Sequence, residues 1–224
     1  MATVVAINPE TARAKTFRLA LPAPSTHRAG QHYVVRLSAP DGYTASRSYS
    51  IASAPDGASE IELTVERLED GEVSSFLHDD VIVGDELEVR GPIGGWFVWD
   101  GESPAFFVAG GSGVVPLMAM LRFARLHGKS DLVRLVVSVR TPDDLYYSTE
   151  LPGPETSVAY TRVAPAAFAR AAGRLTAADI AVPDPAATAF VCGPSGFCDA
   201  TTDLLVGAGV PADRIRVERF GPTA

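Results

Sequence analysis

Residues 103–121, SPAFFVAGGSGVVPLMAML, constrain the fold more than any other stretch of this chain. Nineteen consecutive residues carry no charge, which approaches the length of a membrane span. Gly110, Gly111, Gly113 and Pro116 interrupt the run, so it reads as three pieces instead of one helix. Residues 106–109 are the continuous apolar run of a parallel strand buried on both faces, and a helix follows over 114–127. A buried strand that enters a glycine turn and then a helix is also an anion site. The glycines let the backbone come close, and the helix N-terminus presents free N–H groups. The turn serves equally well as plain structure, and Pro116 stands near the place of the usual third glycine.

The rest of the chain divides around this feature. Ahead of it lie short segments rich in Val, Ile, Thr and Tyr, broken by Gly and Pro, over residues 3–7, 16–21, 33–37, 48–53, 61–67 and 86–90. Such spacing predicts a six-stranded antiparallel β-barrel, with one short helix over 74–77 capped by Ser74 or Ser75. Beyond it, strands over 132–139, 157–160, 189–192 and 215–220 alternate with helices around 144–151, 176–180 and 195–206. Alternation of this kind predicts a doubly wound α/β domain with a parallel sheet. The two domains are expected at 1–100 and 101–224, with the boundary near 100–104.

Composition narrows the function classes. With 46% hydrophobic and 21% charged residues the chain reads as a soluble globular protein. A net charge of −8 argues against a nucleic-acid partner, because phosphate contacts need a basic surface. Residues 1–50 hold six Arg/Lys and two Asp/Glu, whereas residues 51–100 hold two and thirteen. This is either ordinary unevenness of a solvated surface or a docking face for an acidic partner. The N-terminal residues have no basic region followed by an apolar core, so a cytoplasmic location without a membrane anchor is expected. Cys192 and Cys198 cannot supply the four thiolates of an iron–sulfur or structural zinc site. His27, His32, His78 and His127 are scattered, and no metal site is expected.

Two further motifs carry chemistry. VCGPSGFCD, residues 191–199, repeats the strand-to-helix geometry, and strand ends of an open α/β sheet face the ligand crevice. Cys192 there is either a site residue or a small packing residue. RSYSIASAP, residues 47–55, reads as a strand whose alternation sends Arg47, Tyr49 and Ile51 to one face and Ser48, Ser50 and Ala52 to the other.

Taken in order, RSYS, GEVSSFL, GPIGGWF, GGSGVVP, VCGPSG and a terminal ERFG resemble the ferredoxin–NADP reductase family over nearly the whole chain. The resemblance implies a flavin domain followed by a nicotinamide domain. In that family the arginine of RSYS binds the flavin phosphate and the tyrosine packs on the isoalloxazine ring, which puts Arg47 and Tyr49 in those roles. A guanidinium fork suits phosphate and an aromatic face suits the flat flavin. Ser50 matches the serine near the reactive ring nitrogen, although alternation turns it away. Ser48 and Val65 join the implied flavin contacts, as do Val73, Ser74 and Ser75 at the second phosphate site. Without the family Ser74 is a plain helix cap, and Trp96 remains open between core and site.

The same resemblance assigns Gly111, Ser112, Gly113 and Val114 to the dinucleotide pyrophosphate. It places Cys192, Gly193 and Pro194 beside the nicotinamide and Glu218 and Phe220 near the flavin. Ser50, Cys192 and Glu218 are then the catalytic candidates. Since Gly221 to Ala224 follow Phe220, a ring cover by that phenylalanine departs from members that end on the aromatic. Arg140, Thr161, Arg162 and Arg174 fall at the ribose end, where a 2′-phosphate calls for arginine, so NADPH is favoured and NADH is the alternative. FAD is expected over FMN. The implied activity is a stand-alone FAD reductase without a fused iron–sulfur domain, a monomer that passes electrons to a ferredoxin or an oxygenase component. A flavin or quinone reductase and a non-autonomous electron-transfer subunit are the alternatives.

Overall fold

In the computed structural model, which describes residues 1–180, 184 and 186–221, two sheets meet along a broad junction. The first holds β1 (Ala2–Thr11), β2 (Ala14–Ala20), β3 (His32–Ser38), β4 (Thr44–Ser50), β5 (Glu60–Glu66) and β6 (Glu86–Ile93). Its antiparallel order is β4-β3-β6-β1-β2-β5. An isolated bridge between Ile51 and Leu63 and the Ala52 N–H bond to the Glu62 carbonyl (2.7 Å) join the two end strands, closing the barrel and removing its edges. Alternation fills the interior with Val4, Phe17, Leu19, Tyr33, Val35, Ile61, Leu63 and Val65. Helix α1 (Glu72–Asp79) adds Val73 and Leu77 to that cluster.

The second sheet is parallel, ordered β11-β10-β7-β8-β9 from β7 (Ala105–Gly110), β8 (Val133–Val139), β9 (Thr156–Tyr160), β10 (Thr188–Pro194) and β11 (Ile215–Phe220). Every residue of β7 is buried. Phe107 and Ala109 pack with α2 (Val114–Leu126), while Phe106 and Val108 pack with Cys198 and Leu205 of α3 (Ser195–Gly207). Burial on both faces accounts for the uncharged run. The chain winds outward through β8 and β9, then returns to lay β10 and β11 on the other side of β7. The winding therefore reverses between the C-terminal ends of β7 and β10, where open α/β sheets bind ligands. Among the described residues no helix is long and apolar enough to cross a membrane.

The junction is a continuous apolar cluster in which Ala29, Ala52, Phe97 and Trp99 pack with Leu117, Met120 and Tyr147. Arg122 spans it, donating to the Ala52 carbonyl (2.9 Å), to Glu62 (2.7 Å) and to Glu150 (2.9 Å). Its guanidinium also lies 5.1 Å from the centre of the Tyr147 ring.

Three local expectations are corrected. The strand anticipated at 48–53 is β4, which begins at Thr44 and ends at Ser50. No helix forms over 144–151. A short 3-10 turn, Pro142–Asp144, gives way to Tyr147 at φ 53°, which a continuing right-handed helix forbids. Tertiary bonds hold it there: the Tyr147 N–H donates to Glu10 (3.0 Å) and its hydroxyl to Thr64 (2.6 Å), both on the barrel. Neither Ser74 nor Ser75 caps α1. Gly71 is the N-cap and supplies no side-chain oxygen.

Candidate functional site

The crevice begins at the turn Gly111–Gly113. Gly111 adopts φ +56° with open space beside it, a conformation that favours glycine. A Cβ on Gly113 would stand 2.1 Å from the Cys192 carbonyl oxygen, so only glycine lets α2 start this close to β10. From the turn opens a cleft of ≈ 770 Å³, within the range of small-molecule sites. Gly111, Ser112, Arg140, Thr161, Arg162, Arg174 and Pro194, which sequence reasoning assigned to the dinucleotide, all line it.

Backbone register explains why three arginines from separate segments converge. The Thr161 N–H donates to Val139 (2.8 Å) and the Arg162 N–H to Arg140 (3.0 Å), continuing the β8–β9 ladder past the strand ends. The Gly173 N–H then donates to Tyr160 (2.9 Å), drawing Arg174 to the same edge. Among the described residues the guanidiniums of Arg140, Arg162 and Arg174 have no hydrogen-bond or ion-pair partner. Glu66 and Asp144 line the same cleft without pairing with these three guanidiniums, which stay available to an anion. Sequence reasoning missed Arg13, Tyr146, Ser138 and Phe197, which line the cleft as well. Arg13 sits between β1 and β2, more than a hundred residues from the other arginines, and no local pattern marks its approach.

Cys192, Gly113 and Val114 are buried beneath this lining. Cys192 pairs with Glu218 across β10 and β11. Burial first, and then the neighbouring Glu218, hold its thiol well above the ordinary range. Burial likewise pushes the Glu218 carboxyl up to about 7, and its Oε2 is buried without a partner among the described residues. The thiol of Cys198, on the opposite face, donates to the Gly193 carbonyl (3.3 Å). Phe220 is partly buried against the junction cluster, and residues 222–224 lie outside the described residues.

On the barrel, alternation along β4 holds and still reconciles Ser50. Ala45 points into the barrel and Tyr49 packs against its interior cluster, with Arg47 at the same parity reaching solvent. On the other parity Ser48 is exposed, Ser50 is buried and Ala52 belongs to the junction cluster. The outward face of the strand thus runs from solvent into the space between the domains. Burial raises the Tyr49 phenol to about 12. Arg47 bonds only the carbonyl of Ser46 (2.7 Å) and has no acidic partner among the described residues.

Around the start of α1, Ser74 accepts from the Leu68 N–H (3.1 Å) and donates to the Gly71 carbonyl (3.0 Å), while Ser75 donates to the Leu68 carbonyl (3.3 Å). Their hydroxyls brace the 68–71 turn and leave the first-turn N–H groups of the helix without a side-chain cap, as an anion site requires. The Val65 side chain points into the barrel core, and its carbonyl is engaged by His78 (2.9 Å). Trp96 is not core: it is 64% exposed, with the Arg216 guanidinium 5.5 Å from the ring centre. No cluster of His, Cys, Asp or Glu among the described residues could hold a metal ion.

A closed barrel with an uncapped helix start beside an exposed arginine, joined to a switch-point cleft lined with free arginines, defines a two-domain oxidoreductase module for a flavin and a pyridine nucleotide. The chain belongs to the ferredoxin–NADP reductase-like flavoproteins: residues 2–98 match the oxidoreductase FAD-binding domain and residues 107–203 the oxidoreductase NAD-binding domain. Its cofactors are accordingly FAD and a pyridine nucleotide.

The chain is 33% identical over 210 residues to the glycine betaine monooxygenase reductase subunit of Chromohalobacter salexigens, covering 88% of this chain and 56% of that protein. It is 35% identical to the NADH oxidoreductase HCR of Escherichia coli, covering 82% and 57%. It therefore spans a little over half the length of these relatives. Among solved structures, the flavohem-like FAD/NAD-binding domain of nitric oxide dioxygenase from Vibrio cholerae superposes with a TM-score of 0.88 at 26% identity. That match covers 99% of this chain and 98% of the other.

Proposed function

We propose that this chain carries reducing equivalents from NADPH through FAD to a separate electron carrier, a ferredoxin or an oxygenase component, and that it works as a cytoplasmic monomer. In this reading residues 1–100 hold the flavin and residues 101–224 the nicotinamide. The convergence of Arg140, Arg162 and Arg174 on one cleft beside the Gly111–Gly113 turn carries it. A planar fork recognises phosphate oxygens in pairs, and three unpartnered guanidiniums supply more positive charge than a free ribose hydroxyl needs. Reductase components of oxygenase systems among the relatives support the choice of acceptor.

When bound, the two cofactors supply hydride transfer followed by electron release, and the protein contributes geometry. Arg47 and Ser48 hold the flavin phosphate at the open end of β4, with the first-turn N–H groups of Val73 and Ser74 as the second anchor and Ser75, whose own N–H donates to the Gly71 carbonyl (2.7 Å), beside them. Val65 lines that domain from within. Tyr49 offers its face to the ring, and Ser50 reaches the ring edge from the junction side. Gly111, Ser112, Gly113 and Val114 receive the dinucleotide pyrophosphate, and Thr161 sits with the arginines at the ribose. Cys192, Gly193 and Pro194 bound the nicotinamide face, with Phe220 at the rim. Glu218, whose carboxyl burial pushes up to about 7, exchanges a proton near neutral pH beside Cys192. The junction cluster would exclude water where the two domains meet.

A second reading, a reductase module that works only inside a larger assembly, is supported by the near-complete match to an FAD/NAD-binding domain. Steady-state NADPH oxidation by the isolated chain with a quinone or ferricyanide separates autonomous turnover from that case. Arg47→Ala is expected to lose flavin, whereas Arg162→Ala raises KM for NADPH with flavin retained. Loss of both cofactors in the second variant would contradict the assignment of the two domains.

A further inference from the structure

One arginine near the cleft is built unlike Arg140, Arg162 and Arg174, which line it. We propose that Arg170 is a positioning residue for cofactor choice: with Asp179 it preforms the loop that presents Arg174, and so sets the preference for a 2′-phosphorylated nicotinamide dinucleotide. This rests on the NADPH reading above.

A guanidinium has five N–H donors, and Arg170 engages all of them within its own segment. Nε donates to Asp179 Oδ1 (2.6 Å) and Nη2 to Asp179 Oδ2 (2.9 Å), a bidentate pair. Nη1 donates to the carbonyls of Ala171 (3.1 Å) and Gly173 (3.2 Å), and Nη2 also to that of Arg174 (2.8 Å). No donor is left for a ligand. Asp179 is held in turn by the N–H and hydroxyl of Thr176, each at 2.8 Å. The two side chains are only 24% and 16% exposed, although the loop around them is largely solvated.

Between the end of β9 at Tyr160 and the 3-10 turn Ala177–Ile180 the chain has no regular structure. Its closure depends on the Gly173 N–H bond to Tyr160 and on the Arg170 fork. Arg174 has its carbonyl fixed by Arg170, lines the cleft, and has no side-chain partner among the described residues. Fixing the loop before binding removes an ordering penalty that the dinucleotide would otherwise meet. The loop presents Arg174 and Leu175 to the cleft, and of the two only Arg174 carries a charge that a phosphate would meet.

Arg170→Lys tests this, because lysine keeps the charge and cannot form the fork. Asp179→Asn provides a second, near-isosteric disruption. Flavin content and thermal midpoint establish that each holoprotein is folded. In both variants KM for NADPH is expected to rise about tenfold, equivalent to ~1.4 kcal/mol. KM for NADH and both kcat values should stay within twofold. Affinity for 2′,5′-ADP, a probe that carries the phosphate without the nicotinamide, should fall in parallel. Arg170→Lys combined with Arg174→Ala should bind NADPH no worse than Arg174→Ala alone. Equal rises in KM for NADPH and NADH, or no change in either, would overturn the positioning role while leaving the NADPH reading intact. A wild-type protein that favours NADH overturns both, and that result is read before any variant is made.

Discussion

Arg122 and Arg36 make ion pairs of equal length, and their removal should have very different consequences. Arg36 meets Glu88 at 2.7 Å with the side chains 52% and 43% exposed, so Arg36→Ala should change stability by less than about 1 kcal/mol. Arg122 meets Glu62 at the same 2.7 Å, but with 18% and 25% exposure, at the seam between the domains. Arg122→Ala strands the Glu62 carboxylate there, deprives the Ala52 carbonyl of its donor and removes the cation from above Tyr147. Breaking a fully buried pair costs about 3–5 kcal/mol. The residual exposure of Glu62, together with the 44% exposure of the third partner Glu150, reduces this to about 3 kcal/mol. Urea unfolding followed by fluorescence reads the change directly, because Trp99 lies in the junction cluster. An Arg122→Ala loss below about 1 kcal/mol, or a loss equal to that of Arg36→Ala, would refute the argument that burial at the seam makes this pair structural.

Three further outcomes follow from the site. Gly113→Ala drives a Cβ against the Cys192 carbonyl, so KM for the dinucleotide should rise at least tenfold (~1.4 kcal/mol) with flavin retained, as steady-state kinetics and flavin absorbance would show. Burial lifts the Glu218 carboxyl from 4.5 to about 7, so the native state keeps a proton that the unfolded chain releases. Its contribution to stability is present below pH ~4.5 and is lost as pH rises towards and through 7, a decline of roughly 3 kcal/mol that Glu218→Gln should flatten in urea titrations between pH 5 and 8. Cys192 and Cys198 are both buried, their thiols raised by burial, the second to about 11. Neither should be alkylated by iodoacetamide in the native protein at pH 8, as intact mass would report; rapid labelling of Cys192 would contradict its placement beneath the cleft.

Local periodicity carries only some of these features. The buried strand, glycine turn and helix were legible at 106–126 because burial on both faces removes every charge from β7 and α2 needs an uncrowded start at Gly113. The alternation of Arg47, Tyr49 and Ser50 was legible too, since a strand imposes it whatever surrounds it. The segment 144–151 was not. Its composition permits a helix, and Tyr147 departs from one because Glu10 and Thr64, distant in sequence, take its N–H and hydroxyl.

By itself, the sequence determined which segments alternate, where the backbone must be bare of side chains, and which residue types stand at the strand ends. Those properties depend on neighbours within a few positions. Only the tertiary structure decided that the outward face of β4 becomes buried at Ser50, and that Arg13 joins a cleft formed mainly by the other domain. It also decided that the Arg174 guanidinium has no partner among the described residues where Arg170, four residues earlier, is wholly engaged. Burial and hydrogen-bond satisfaction are set by what the fold packs against a residue, and two arginines of identical chemistry differ only in whether a carboxylate and a row of carbonyls reach them first.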